Sequence, residues 1–212
     1  MKKIFGLILL FILSGCANTM KPTDFKDQKP RLIIEDYLSG NVKAWGVLQN
    51  RSGKVTRQFK ANLDGKWNGS QLILDEVFNW TDGERQTRQW TINKINEHNY
   101  EGTASDVVGT AKGYSYGPAF KFEYVLLVPI KGKNIKITFD DWIFMQDERV
   151  AINRATMTKF GFKVAELTVM FIKTNMFELP KLDYSNSALS PIMSEQTLDL
   201  HHGNIIKLIS LI

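Results

Sequence analysis

Residues 119–139 read Ala119-Phe120-Lys121-Phe122-Glu123-Tyr124-Val125-Leu126-Leu127-Val128-Pro129-Ile130-Lys131-Gly132-Lys133-Asn134-Ile135-Lys136-Ile137-Thr138-Phe139. Bulky apolar side chains recur at every second position: Phe120, Phe122, Tyr124, Leu126 and Val128, then Ile135, Ile137 and Phe139. Successive side chains of a strand point to opposite faces, so this rhythm marks two half-buried strands. The Lys131-Gly132 pair between them supplies the turn.

The same pattern extends in both directions. Leu72, Leu74, Phe78 and Trp80 line one face of an upstream segment. Downstream come Val150 with Ile152, and Ala165, Leu167, Val169 with Phe171. Turn pairs punctuate the chain at Ser52-Gly53, Asp64-Gly65, Asn68-Gly69, Asp82-Gly83, Asp147-Glu148 and Phe160-Gly161. Between Lys43 and Lys173 this gives about nine or ten strands with short connections. No helical pattern of strand-crossover length alternates with them, which excludes a parallel α/β sheet. The expectation is an all-β domain, an antiparallel meander closing into a barrel of about eight to ten strands, because closure removes exposed edges.

Outside the strand region the chain changes character. Leu32 to Leu38 reads as one or two helical turns ended by Ser39-Gly40. Residues 16–31 carry two prolines and little apolar content, and read as a flexible tether. Residues 32–174 form the barrel domain. Residues 175–212 have no strand rhythm, and a short helix or a disordered extension fits their composition.

The N-terminus places the protein in the cell. Lys2 and Lys3 precede an apolar run from Ile4 to Leu13, closed by Leu13-Ser14-Gly15-Cys16. That is a secretory signal peptide over residues 1–15. Its apolar run is too short for a retained membrane span. A cysteine just after the cut site makes it a lipobox, with Cys16 acylated as the new N-terminus. Several buried acyl chains make such anchoring effectively permanent. Ala17, in place of an aspartate, favours the outer membrane, with the domain facing the periplasm. Cys16 is the only cysteine, so the chain forms no internal disulfide and its stability must come from a core.

Charge and motifs exclude several classes. Removing residues 1–15 deletes two lysines from a net charge of +5, and the remaining cations are scattered among acids. No nucleic-acid-binding stripe results. Gly113-Tyr114-Ser115-Tyr116-Gly117 matches the serine-hydrolase elbow, but a strand rather than a helix follows it. Its only downstream histidines are His201 and His202, in the tail. His98 sits alone beside a turn and reads as a solvated loop residue, so neither a metal site nor a cofactor site is expected. No catalytic constellation appears.

Four charges interrupt apolar strand faces. Glu76 shares its face with Leu72, Leu74, Phe78 and Trp80, and Asp141 with Ile137 and Phe139. Arg154 shares its face with Val150 and Ile152, and Glu166 with Val164. A charge on a buried face is costly unless paired. These residues are therefore candidates either for interior salt bridges or for holding a ligand's polar head. Asp141 and Arg154 would meet if their strands are hairpin neighbours about the Asp147-Glu148 turn.

Longer patterns connect these residues to a known group. Asp140-Asp141-Trp142-Ile143, Ile152-Asn153-Arg154-Ala155 and Lys159-Phe160-Gly161 resemble a family of proteobacterial lipoproteins known only as a domain of unknown function. Gly40 with Ala44-Trp45-Gly46, Phe78-x-Trp80-x-Asp82-Gly83, Arg88-x-Trp90 and Gly102-x-Ala104-x-Asp106 agree with it. The likeness covers about residues 36 to 173 and implies no activity. More distantly the strand count is similar to that of the lipocalin-type, or calycin, barrels, although their Gly-x-Trp signature is absent. Fold alone does not fix function. Three functions stay open. One is a membrane-anchored module binding an apolar or amphiphilic molecule such as a lipid or fatty acid. The others are a packed barrel docking an envelope partner, and an enzyme acting on lipid or cell-wall substrates, which would require a cleft with convergent, pKa-shifted acids.

Overall fold

The computed structural model describes residues 19–130 and 132–174. Ten antiparallel strands follow one another: β1 (Gly40–Asn50), β2 (Val55–Trp67), β3 (Gln71–Trp80), β4 (Arg85–Lys94), β5 (Asn99–Thr103), β6 (Ala111–Tyr116), β7 (Ala119–Ile130), β8 (Lys133–Met145), β9 (Val150–Lys159) and β10 (Phe162–Lys173). Each pairs with its sequence neighbours, and β1 closes the ring against β10 from Val42↔Lys173 to Asn50↔Ala165. The expected antiparallel, calycin-like barrel is present. Closure gives every strand two neighbours in the ring.

A single helical turn, α1 (Ile34–Leu38), precedes β1 and closes one end of the barrel. Leu32, Ile34, Tyr37 and Leu38 are all buried in the principal core cluster. The Tyr37 hydroxyl donates toward the carbonyls of Arg149 and Phe171, at 3.1 and 3.2 Å. Glu35 is 4% exposed and accepts from Lys94 and from the Tyr100 hydroxyl. Gly65 makes the seating possible, since a Cβ there would lie 1.9 Å from the Leu38 carbonyl oxygen. The other end, at the β1–β2, β3–β4, β7–β8 and β9–β10 hairpins, carries no such plug among the described residues.

The wall is uneven. β5 and β6 are short, and residues 104–110 complete the wall beside the outer half of β7. Val108 donates to the Val125 carbonyl and Leu127 donates to the Asp106 carbonyl, each at 2.8 Å. This pairing, with the isolated bridge Val107↔Leu126, fixes Asp106 at the barrel wall.

Two expectations are corrected here. On β9 the inner face is Ala151, Asn153, Ala155 and Met157, not Val150, Ile152 and Arg154. The plug explains the reversal. Tyr37 reaches the start of β9, so small residues must face inward there and the larger β-branched ones turn outward. The tether reading fails for its described part: Pro22–Phe25 is a 3-10 turn. The Phe25 ring lies 6.0 Å from that of Trp142 and 5.5 Å from that of Phe144, on the outer wall. One aromatic is enough to dock a segment of otherwise polar composition. Residues 1–18 and 175–212, including Cys16 and the tail, lie outside the described residues.

Candidate ligand cavity

Two apolar clusters line the barrel interior. The larger gathers around α1, and the smaller consists of Leu126, Ile137, Phe139 and Ala155. Between them lies a cavity of about 250 Å³, running from Ile34 and Leu38 at the plug to Arg57, Trp80 and Gln86 at the rim. An apolar void of about 150 Å³ suffices for a benzene ring, so this one has room for a small molecule. The walls are strand residues of fixed parity. Phe120, Phe122 and Tyr124 come from β7, Leu74 and Phe78 from β3, and Trp90 from β4. The rings interlock, with Trp90 centred 5.1 Å from Phe122 and 5.3 Å from Tyr124. Gly102 allows this crowding, since a Cβ there would lie 2.5 Å from the Phe122 ring.

One polar cluster interrupts the apolar wall. Glu76 and Arg88 are register partners on β3 and β4, and Arg88 Nη1 lies 3.7 Å from Glu76 Oε2. Arg88 donates through Nε and Nη2 to the Asp106 carboxylate, at 3.0–3.1 and 2.7 Å. Tyr124 donates to Asp141 Oδ2 at 2.7 Å. Glu76 Oε2 and Asp141 Oδ1 are buried with no hydrogen-bond partner. Burial pushes the Glu76 carboxyl up to about 7, against the attraction of Arg88. Burial likewise raises Asp141 to about 7, opposed by the Tyr124 hydroxyl and by Arg88. The Arg88 guanidinium stays cationic despite burial because Glu76 and Asp106 face it.

The four charges read from the sequence therefore separate. Glu76 and Asp141 line the cavity. Arg154 and Glu166 do not: they are on the outer surface, 3.6 Å apart, with Lys163 Nζ 3.1 Å from Glu166. Asp141 and Arg154 sit on neighbouring strands as anticipated. However, Asp141 pairs with Ala155 while Arg154 pairs with Trp142, so the two charges point to opposite faces. The reversed parity of β9 accounts for Arg154. The irregular register between Lys163 and Ala165 breaks the alternation that assigned Glu166. The reading of the sequence missed Arg88, Asp106 and the role of Tyr124. Arg88-x-Trp90-x-Ile92 carries a period-two signal, masked by the polar residues between. Asp106 lies in an irregular segment and has no periodicity to reveal it.

The buried Ser115 hydroxyl donates to the Leu32 carbonyl at 2.8 Å, tying β6 to the segment before the plug. His98 is half-buried rather than solvated. It is stacked 4.2 Å from the Tyr116 ring, with Nδ1 2.8 Å from the Ser115 carbonyl oxygen. Among the described residues no group of three or more His, Cys, Asp or Glu is placed to hold a metal ion.

With this geometry the chain falls into the class of closed, calycin-like barrels that enclose a small cavity. It belongs to the DUF3833 family, described as a protein of unknown function, which matches residues 10–173. Among solved structures it is similar to the S-type phycobiliprotein lyase CpeS of Guillardia theta, with 8% identity and a TM-score of 0.51. That likeness covers 66% of this chain and 90% of the lyase. A DUF3598 protein of unknown function from Nostoc punctiforme PCC 73102 is similar at 13% identity and a TM-score of 0.52, over 69% of this chain and 51% of that one. Both likenesses are of fold. A stretch of 27 residues, 13% of this chain, is 56% identical to an iron superoxide dismutase of Bacteroides fragilis (strain YCH46). It spans 14% of the dismutase and carries no functional inference.

Proposed function

We propose that this is a lipid-anchored, periplasm-facing lipoprotein whose barrel holds a small amphiphilic molecule. The observation that carries the reading is the cavity of about 250 Å³, with aromatic walls and a buried polar cluster. Apolar walls with a few fixed polar groups are the usual makeup of a ligand pocket. The fold shared with the phycobiliprotein lyase is compatible with an occupied interior. Native mass spectrometry of protein taken from its own membrane is expected to show a co-purifying molecule. Trp80 and Trp90 line the cavity, so their emission should respond saturably to added amphiphiles. If nothing co-purifies and nothing titrates, the packed-barrel reading replaces this one.

Anchoring rests on the lipobox at Cys16. Intact mass is expected to show an acylated Cys16 with residues 1–15 removed, and Cys16→Ser should abolish detergent partitioning. A product that is unacylated or cut elsewhere defeats the proposal.

One observation favours a second reading. Glu76 and Asp141, both raised to about 7, line one cavity, and carboxyls poised near neutrality are suited to general acid–base work. The two readings diverge in what is recovered. A carrier releases its ligand unchanged after incubation, whereas an enzyme returns a chemically altered product and loses that conversion in Glu76→Gln.

A further inference from the structure

We propose that the polar end of the cavity takes a cationic, hydrogen-bond-donating head, such as the primary ammonium of a short-chain amphiphile, and rejects carboxylate and phosphate heads. This inference rests on the ligand-binding reading and names the ligand class. Four charged residues line the cavity: Arg57, Arg88, Glu76 and Asp141.

Both cations are already engaged. Asp106 occupies the Nε–Nη2 edge of Arg88, the edge a carboxylate or phosphate would use, and Glu76 faces Nη1. Arg57 is held at the rim by Asp82 and Glu84, at 2.7 Å each, and its guanidinium covers the Trp80 ring at 3.9 Å. Two of the neutral polar side chains on the wall, which also include Asn153, are engaged as well. Tyr124 donates to Asp141, and the Gln86 amide donates to Glu84 while its carbonyl accepts from Trp80.

Among buried side-chain atoms on the cavity wall, Glu76 Oε2 and Asp141 Oδ1 lack a hydrogen-bond partner, as does Arg57 Nε, which is nonetheless 2.7 Å from the Asp82 carboxylate. A buried acceptor without a donor is a standing cost that a ligand's N–H groups remove. An anionic head would instead have to displace Asp106 from Arg88 and would face the charge of Glu76 and Asp141. The aromatic walls add to the preference, because ring faces attract cations. Trp90 and Phe78 lie within reach of the cluster, their ring centroids 6.0 and 5.9 Å from the Arg88 guanidinium.

The test uses the full chain. It is titrated at about pH 8, where both acids are ionised, with decylamine, decanol, decanoate and decyl phosphate. Binding is followed by tryptophan emission, and one-to-one stoichiometry by native mass spectrometry. Decylamine is expected to bind about tenfold or more tighter than either anion, the size of one charge-assisted hydrogen bond. Glu76→Gln and Asp141→Asn should each remove most of that preference, with far-UV circular dichroism showing that the variants are folded. Arg154→Ala, on the outer wall, should leave the preference unchanged. Equal or tighter binding of decanoate or decyl phosphate overturns the head-group inference while leaving the ligand-binding reading intact. Failure of all four probes to bind overturns both.

Discussion

Glu76 and Asp141 are the residues that tie the stability of the fold to pH. Each is an acid whose folded-state pKa, about 7, lies above its ordinary value of 4.5 or 3.8. The folded protein therefore binds more protons than the unfolded chain between those limits. The associated stability is complete below about pH 4 and is lost as pH rises through about 7. Carboxyls held low by partners, such as Glu97 beside Arg31 and Asp82 beside Arg57, lose their contribution only in stronger acid. The midpoint of thermal unfolding should thus fall by several degrees between about pH 5 and 7.5. Glu76→Gln and Asp141→Asn should each flatten that slope, as calorimetry across the range would show. A slope unchanged in both variants would mean that these acids are not buried as described. These two residues could be read from the sequence because their strands keep strict alternation beside large apolar neighbours. Arg154 and Glu166 could not. On β9 the inward residues are small and the conspicuous ones face out, so hydrophobic size pointed to the wrong face.

At the level of elements, the plug and one hairpin carry the sharpest consequences. α1 is a single turn, too short to be stable alone, so its position depends on tertiary contacts. Burial raises the Glu35 carboxyl, but the bonds from Lys94 and Tyr100 prevail and hold it below its usual range. Glu35→Ala leaves the Tyr100 hydroxyl and the Lys94 ammonium without their acceptor. It should cost about 2–4 kcal/mol in urea unfolding, as expected when one partner of a buried network is removed. A loss below about 1 kcal/mol would mean that water replaces the carboxylate and that apolar burial alone seats the plug. The β9–β10 turn shows the opposite economy. Phe160 has φ 53, a left-handed conformation unfavourable for any residue with a Cβ, and it is 88% exposed. Phe160-Gly161 has positive φ at both positions, a pattern that Asn-Gly satisfies better. Phe160→Asn should therefore raise stability by about 0.5–1 kcal/mol, giving up only the exposed contact of the ring with Lys159. Destabilisation instead would show that the exposed ring makes contacts essential to the hairpin. Short turns of this kind were visible as residue pairs. The 3-10 turn at Pro22–Phe25 was not, since a single docking ring leaves no periodicity.

At the scale of the whole molecule, ring closure and the hollow interior decide what the chain is able to do. β10 completes the ring at Lys173, so a chain stopped after Thr174 should keep its β signature in far-UV circular dichroism and unfold in one cooperative step. Loss of cooperativity would assign the tail a structural part. Overall architecture was accessible from sequence because meander pairing is local and each strand carries its own alternation. Whether the interior is full was not, because a cavity is the difference between wall area and side-chain volume, and no single strand encodes that sum. A substitution that adds volume tests it directly. Leu167 lines the cavity from β10 and is only partly buried, next to the smaller core cluster. In a filled core, Leu167→Phe would force strained rotamers and cost about 1–3 kcal/mol. In a barrel that keeps about 250 Å³ open, the added ring has space and new apolar contacts. The expected result is an unfolding midpoint unchanged or slightly raised, together with loss of amphiphile binding followed by Trp90 emission. A lowered midpoint with no binding to lose in the parent protein would identify a packed barrel, whose function must then lie on its outer face.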